Sequence, residues 1–438
     1  MRVAVVGCGY LGAVHAAAMA EFGHDVIGFD VDARKIAALR AGEPPIFEPG
    51  LPELLSAGIS SGRLNFSSDV ADIAGASLIF LTVGTPQLKD GRAADLSYVD
   101  AAITALAGQL RPGDVVVGKS TVPIGTAARL AARLDDLAPG AVLAWNPEFL
   151  REGWAVQDSL APNRLVFGLP PAADRARRAE AALREVFARP LANDTPLIVT
   201  DYATAELVKV SANAFLATKI SFINAMAEIA EVTGADVTQL ADAIGYDDRI
   251  GRRYLGAGVG FGGGCLPKDI RAFRARAEEL GRGESVAFLA QVDAINLRRR
   301  KRLVAHAIDL LDGTPHGKVV AVLGLAFKPQ SDDVRDSPAL DIAVRLHGLG
   351  AVVRATDPKA IENSRALHPQ LDYRESFEDA VTGADVLVLV TEWDEYRYLD
   401  PEAVGELVAG RNVADGRNSY DPARWRAAGW RYRGLGRP

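Results

Sequence analysis

The sequence predicts an α/β fold: two domains with parallel sheets, joined by a central section of long helices. Three observations carry this. Short apolar runs alternate with helical stretches through the first 200 residues. From 201 to 314 two long helical stretches take over. Beyond 315 the alternation of strand and helix starts again. Strands separated by helices pair in parallel, because each helix carries the chain back across the sheet. The expected sections are 1–200, 201–314 and 315–438.

The first strand is Arg2–Val6, followed by a glycine-rich turn and an alanine-rich helix over 13–22. Further strands are expected at 25–30, 78–83, 115–117, 142–145 and 165–167. Residues 202–233 contain no strong breaker and read as one helix, which Gly234 ends. Residues 285–311 carry apolar side chains three and four apart, the spacing of a helix. They include Arg298-Arg299-Arg300-Lys301-Arg302, a run that reads as a solvated helix face without a targeting role. Strands restart at 318–323, 352–357 and 385–391, and the tail from Gly434 reads as loose.

The chain has 438 residues, 49% hydrophobic and 24% charged, the balance of a soluble globular protein. Its net charge of −7 argues against a nucleic-acid or anionic-membrane partner. Two cysteines, Cys8 and Cys265, cannot form a disulfide framework, so a reducing, cytoplasmic setting is expected. The segment after Met1 lacks a signal-peptide pattern, and no apolar run of about 18 residues suggests a membrane span.

The turn Gly7-Cys8-Gly9-Tyr10-Leu11-Gly12 lies between a strand and a helix, and Asp30 closes the next strand. In that context the glycines mark a Rossmann-like dinucleotide site. They let a pyrophosphate rest on backbone N–H groups at a helix N-terminus. Asp30 can accept bonds from ribose hydroxyls and repels a 2′-phosphate, so NAD is favoured over NADP. Lys35 either reaches the adenosine end or is a solvated helix lysine. The second α/β domain has Gly324-Leu325-Ala326-Phe327, which is not built for a dinucleotide. Lys328 and Arg335 flank that turn and suit the phosphates of a single nucleotide, or form surface ion pairs.

Polar groups crowd around glycine and proline in several places. Lys119-Ser120-Thr121-Val122-Pro123 and residues 146–152 each follow a strand. Glu206, Lys209 and Asn213 share one face of the long helix, as a catalytic group or as a plain polar stripe. Gly260-Phe261-Gly262-Gly263-Gly264-Cys265-Leu266-Pro267-Lys268-Asp269 sets a thiol in a glycine-dense turn. On spacing alone that thiol is equally a nucleophile or a small packed residue.

Taken in order, these segments resemble the UDP-glucose/GDP-mannose dehydrogenase family. With Phe327-Lys328 and residues 331–338, the resemblance runs from Met1 to about Tyr420. It implies two Rossmann-like domains, NAD as cofactor, no metal, and a nucleotide-sugar substrate: UDP-glucose, GDP-mannose or another. It implies four-electron oxidation of a primary alcohol to a carboxylate through a thiohemiacetal and a thioester. It implies Cys265 as nucleophile, with Lys209 and Asn213 on the oxyanion. Asp269 would orient water, Thr121 hold it, and Glu152 assist hydrolysis. NAD would meet Gly7, Gly9, Tyr10, Leu11, Gly12, Asp30, Lys35, Thr85, Thr121, Glu152, Lys268 and Arg335. The sugar nucleotide would meet Glu148, Phe149, Leu150, Lys209, Asn213, Tyr254, Gly260, Phe261, Gly262 and Lys328. Arg249 would reach the ligand of a partner subunit, since a homodimer or higher homo-oligomer is implied. The glycines of 260–264 would leave room for the sugar. Where the family usually has serine before the cysteine, this chain has Gly264, and Cys8 is expected to pack.

A two-electron hydroxy-acid dehydrogenase would share the first domain and Lys209 without needing Cys265. An NAD-binding scaffold would need only the glycine turn.

Overall fold

The computed structural model describes residues 1–438. By packing the chain divides into two units, one of Met1–Ala212 with Arg271–Gly281, the other of Asn213–Ile270 with Arg282–Pro438. Each unit is built on one sheet.

The first sheet has eight strands. They are β1 (Arg2–Val6), β2 (Asp25–Phe29), β3 (Leu64–Ser67), β4 (Leu78–Leu81), β5 (Val115–Gly118), β6 (Val142–Trp145), β7 (Leu165–Leu169) and β8 (Leu197–Asp201). Their order is β3-β2-β1-β4-β5-β6-β7-β8. Neighbours pair in parallel except β6 and β7, which meet antiparallel at Trp145 and Gly168. Side chains alternate between two cores. Val3, Val5, Leu78, Phe80, Val115 and Val117 enter one; Ala4, Val6, Ile79, Leu81 and Val116 enter the other. A strand covered on both faces is apolar throughout, which is why these strands read as continuous runs. Each Val, Leu or Phe so buried contributes roughly 1.5–3 kcal/mol.

Helices α1 (Tyr10–Glu21) and α2 (Ala33–Arg40) follow β1 and β2. The buried face of α1 is largely alanine, from Ala13 to Ala20. Asp32 caps α2 by accepting from Arg34 N and Lys35 N, at 3.0 and 3.4 Å. The strand order reverses between β1 and β4, and ligand crevices in such sheets open at the carboxyl ends of the strands there. Gly7, Asp30, Thr85, Thr121 and Glu148 all follow the carboxyl ends of strands from this group.

A helical section follows in the chain. Helix α3 runs Tyr202–Thr233, the expected span, because nothing in it breaks a helix. Helix α4 is Leu266–Glu279 and α5 is Phe288–Leu310. The basic run on α5 is a solvated face only in part: Arg298, Lys301 and Arg302 are exposed, but the two residues between them are not. Arg299 and Arg300 are 1% and 3% exposed. Arg299 pairs with Glu231 at 2.9 Å, and Arg300 with Asp336 at 3.0 Å. Charge alone suggested solvent; carboxylates distant in sequence supply the partners that burial demands.

The second sheet contains β9 (Val319–Leu323), β10 (Val352–Thr356), β11 (Asp372–Tyr373), β12 (Val386–Leu389), β13 (Asn412–Asp415) and β14 (Arg431–Gly434). Its order β11-β10-β9-β12-β13-β14 repeats the winding of β3-β2-β1-β4-β5-β6, and every pair is parallel. The tail is not loose. Gly434 ends a strand, Leu435 is buried and donates to Asn418 Oδ1 at 2.9 Å, and Gly436 O accepts from Val237 N at 2.9 Å. No helix is long and apolar enough to cross a membrane.

Candidate active site

The glycine turn after β1 is shaped partly by the protein and partly for something else. Gly7 has φ +94°, a conformation that side chains rarely adopt, and its N donates to Phe29 O at 2.8 Å. A Cβ on Gly12 would fall on the Gly7 carbonyl, so Gly12 closes the turn on itself. A Cβ on Gly9 would meet nothing within 4 Å. Packing does not require glycine there, and its bare backbone leaves room for a ligand to lie close. No side chain caps α1 and no acidic residue sits in its first turn, as suits an anion at its N-terminus. These features fit a dinucleotide.

Asp30 is buried and accepts from Cys8 N and Asp32 N at 2.9 and 3.0 Å. Lys35 Nζ lies 2.8 Å from Asp30 Oδ2, so the lysine is paired to that carboxylate. Cys8 packs as expected: burial, and then the Asp30 charge, push its thiol well up, which keeps it neutral. Tyr10 bonds to the buried Glu48 carboxylate. Burial and then that bond push its phenol up, with Glu152 adding to the effect. Glu48 also accepts from Gly153 N and Ala155 N at 2.6 and 2.7 Å. It thereby fixes the end of the 146–152 loop, next to buried Glu152. Thr85 Oγ1 donates to Thr121 O at 2.7 Å and joins the turns after β4 and β5.

The 146–150 loop hangs on Lys119. This lysine is buried, with Nζ 5.7 and 5.6 Å from the centroids of the neighbouring Phe80 and Phe187 rings. It donates to Asn146 Oδ1 at 2.9 Å and pairs with Glu148 at 3.1 Å. Burial pushes the Glu148 carboxyl up, but Lys119 and the N–H groups of Phe149 and Leu150 outweigh it and leave it below its ordinary value. Arg164 stacks on the Phe149 ring at 3.8 Å, and Lys209 Nζ lies 5.6 Å from the same ring. Glu206 accepts from Gly125 N and Ala127 N, at 2.7 and 2.6 Å. It caps the helix Thr126–Leu137, a structural role.

Cys265 stands at the N-cap of α4. Its carbonyl accepts the first helical bond from Asp269 N at 2.9 Å, and the residue is exposed. Asp269 is buried. Its Oδ2 accepts from Asn213 at 2.6 Å and its Oδ1 from Lys268 at 2.7 Å. Asn213, Lys268 and Asp269 are therefore brought together one turn past the thiol. The glycines before it are packed closely against protein. A Cβ on Gly260 would fall on Asn296, on Gly262 on the Asp336 carbonyl, on Gly263 on the Phe327 ring, and on Gly264 on the Arg335 guanidinium. Protein fills each position, so these glycines let the loop close. Phe261 is buried.

Arg335 binds Asp333, with Nη2 2.7 Å from Oδ2. Lys328 lies 5.1 Å from the Phe327 ring centroid. Arg249 is exposed and pairs with Asp247 at 2.6 Å; Tyr254 is exposed, with φ 66°. Arg417, which the sequence reading missed, donates to Gly260 O and Phe327 O at 3.1 Å each. In the second glycine turn Asp357 accepts from Leu325 N and Ala326 N at 2.7 and 3.0 Å, and from Trp393 Nε1 at 3.1 Å. Asp357 thus takes two N–H groups of this turn, where Asp30 takes one, that of Cys8, in the first.

Three family models match the chain. The NAD binding domain of the UDP-glucose/GDP-mannose dehydrogenase family matches residues 1–190, its central domain 203–298 and its UDP binding domain 321–422. The chain is 41% identical to a UDP-glucose 6-dehydrogenase of Rhizobium meliloti, over all of both chains. It superposes on a UDP-glucose dehydrogenase from Pyrobaculum islandicum with TM-score 0.90 at 39% identity, covering 100% of this chain and 98% of that one. A UDP-D-ManNAc dehydrogenase from Pyrococcus horikoshii gives TM-score 0.86 at 29% identity, covering 100% and 99%. A turn built for a dinucleotide, a thiol at a helix N-cap and family matches along almost the whole length lead to one conclusion: the chain is an NAD-binding oxidoreductase that belongs to the UDP-glucose/GDP-mannose dehydrogenase family.

Proposed function

We propose that this enzyme oxidises the primary alcohol of UDP-glucose to the carboxylate of UDP-glucuronate, with Cys265 as covalent nucleophile. The observation that carries the reading is the placement of Cys265: exposed, at the N-cap of α4, one turn before the Asp269–Asn213 pair. A helix N-terminus favours the negative charge of a thiolate. Full-length identity to a UDP-glucose 6-dehydrogenase supports the substrate.

Bound NAD, held at Gly7, Gly9, Gly12 and Asp30, would accept one hydride at each of two oxidations. The protein's own groups do the rest. The Cys265 thiolate attacks the aldehyde carbon; a C–S bond forms and the carbonyl pair becomes an alkoxide. Lys209 stabilises that oxygen, with Asn213, whose amide has a second N–H beyond the one given to Asp269. Loss of a hydride from the adduct leaves a thioester. Water positioned by Asp269 and Thr121, with Glu152 assisting, attacks it; the C–S bond breaks and the sulfur leaves as thiolate. One water is consumed and two hydrides are removed for each carboxylate formed.

In this reading residues 1–200 hold the dinucleotide, 201–314 supply Lys209 and Cys265, and 315–438 hold the UDP moiety with Lys328. Lys268 and Arg335, both now paired to aspartates, would turn to NAD phosphates. Glu148, Phe149, Leu150 and Tyr254 would border the sugar. Arg249 would serve a partner subunit, because the chain is proposed to form a homodimer in the cytoplasm. Phe215, Phe222 and Ile229 recur every seven residues on α3 and are exposed, with Val232 beside them. A patch of that kind marks an interface.

The test is Cys265→Ser. UDP-glucuronate formation falls at least about a hundredfold, with any residual product stalled before the carboxylate; turnover at the wild-type rate contradicts the thiol's role. Comparing kcat/KM for UDP-glucose, UDP-ManNAc and GDP-mannose decides the substrate, and a preference for either of the others moves the assignment within the family.

A further inference from the structure

We propose that Asn296 and Arg300 are positioning residues of the reaction, fixing the Phe261 peptide and, through it, the loop that delivers the Cys265 thiol. This rests on the reading of Cys265 as nucleophile. The two residues lie four apart on α5 and so share one face of it. Both are buried. Asn296 engages both backbone polar groups of one residue, and so two adjoining peptide units: its Oδ1 accepts from Phe261 N at 2.7 Å, and its Nδ2 donates to Phe261 O at 2.9 Å. Arg300 Nη2 donates to the same Phe261 carbonyl at 3.2 Å. It also donates to Asp336 O at 3.2 Å and Asp336 Oδ1 at 3.0 Å. One guanidinium therefore stitches the cysteine loop to the 331–338 loop.

The glycines fit this clasp. Gly260, at φ +89°, is excluded from carrying a Cβ by Asn296, and Gly262 by the Asp336 carbonyl. Gly263 N donates to Arg335 O at 2.9 Å, a further stitch between the same two loops. Asp336 itself has φ 47°, a left-handed conformation that its partners must hold in place. The far end of the loop is fixed by the first bond of α4, Asp269 N to Cys265 O. The thiol is thus placed from both ends. Stability alone gives weak grounds for the arginine, because an apolar side chain of similar volume often replaces a buried ion pair at no loss. Directional bonds to one carbonyl are what an apolar side chain cannot supply.

The experiment compares wild type, Asn296→Asp, Arg300→Met, the double variant and Cys265→Ser. The readouts are kcat, KM, melting temperature and the rate of iodoacetamide alkylation of Cys265 mapped by mass spectrometry. Each single variant is expected to lower kcat about tenfold with KM for the nucleotide-sugar within about twofold, and to change the alkylation rate severalfold. Because both act through one peptide, the double variant loses about as much as either single one, not about a hundredfold. Unchanged kcat and alkylation in the folded single variants, or losses that multiply, would overturn the proposal. Asn296→Asp keeps the volume and the acceptor for Phe261 N, so it serves if Arg300→Met fails to fold. Full turnover by Cys265→Ser would refute the nucleophile instead, and the alkylation rates would still judge the clasp.

Discussion

Lys119 carries more of the site than its place in the chain suggests. Its ammonium lies against two adjacent aromatic rings and answers Asn146 and Glu148, and the Glu148 carboxylate in turn anchors the N–H groups of Phe149 and Leu150. Lys119→Met leaves that carboxylate enclosed without its cation. The expected loss is about 3 kcal/mol in urea unfolding at neutral pH. Glu148→Gln added to Lys119→Met recovers part of it; a loss below about 0.5 kcal/mol would show that the pair does not hold the loop. The residues legible in the sequence were those with local signals: Gly7, Gly9, Gly12 and Asp30 by their spacing, Cys265 by its glycines. Glu48, Asn296 and Arg300 gave no such signal, and Lys119 showed only as part of a polar segment after a strand, without a role. Their partners are remote, 105 residues away for Glu48 and Gly153 and 39 for Arg300 and Phe261. A charge in a basic run looks solvated until the fold supplies its carboxylate.

At the scale of elements, α5 shows how one helix divides its arginines. Arg298, Arg299 and Arg302 answer Glu228 and Glu231 on α3, while Arg300 answers the cysteine loop. His306, on the same helix, is pushed down to about 4, by burial first and then by Arg302. Between that value and the ordinary 6.5 the unfolded chain takes up a proton that the folded chain refuses. Stability is therefore complete above 6.5 and is lost as pH falls toward 4. His306→Leu is expected to flatten the slope of unfolding free energy against pH in that window, with His15, also pushed down by burial, keeping a remainder. An unchanged slope, measured by urea unfolding at a series of pH values, would contradict the assignment. The long helix α3 was legible because nothing in it breaks a helix. Strands β3, β8, β11, β13 and β14 were not, because they are short and their residues mix polar with apolar. The antiparallel joint of β6 and β7 has no local signal either.

At the scale of the whole molecule, two sheets wound in the same order do different work because their first turns differ. One turn has the Gly7, Gly9 and Gly12 spacing and gives the Cys8 N–H to Asp30; the other lacks that spacing and gives both the Leu325 and Ala326 N–H groups to Asp357. The exposed apolar stripe of α3 is expected to be the dimer face. Phe222→Lys would shift the mass measured by light scattering from dimer to monomer, and a monomeric wild type would remove the interface. The central claim is that one site carries out both oxidations of a single carbon without releasing the aldehyde. The most direct measurement is the amount of NADH formed per UDP-glucose consumed at completion, with NAD in excess. The account predicts two, with no aldehyde captured by a hydrazine trap; a ratio of one, or a trapped aldehyde in equal amount, would contradict it.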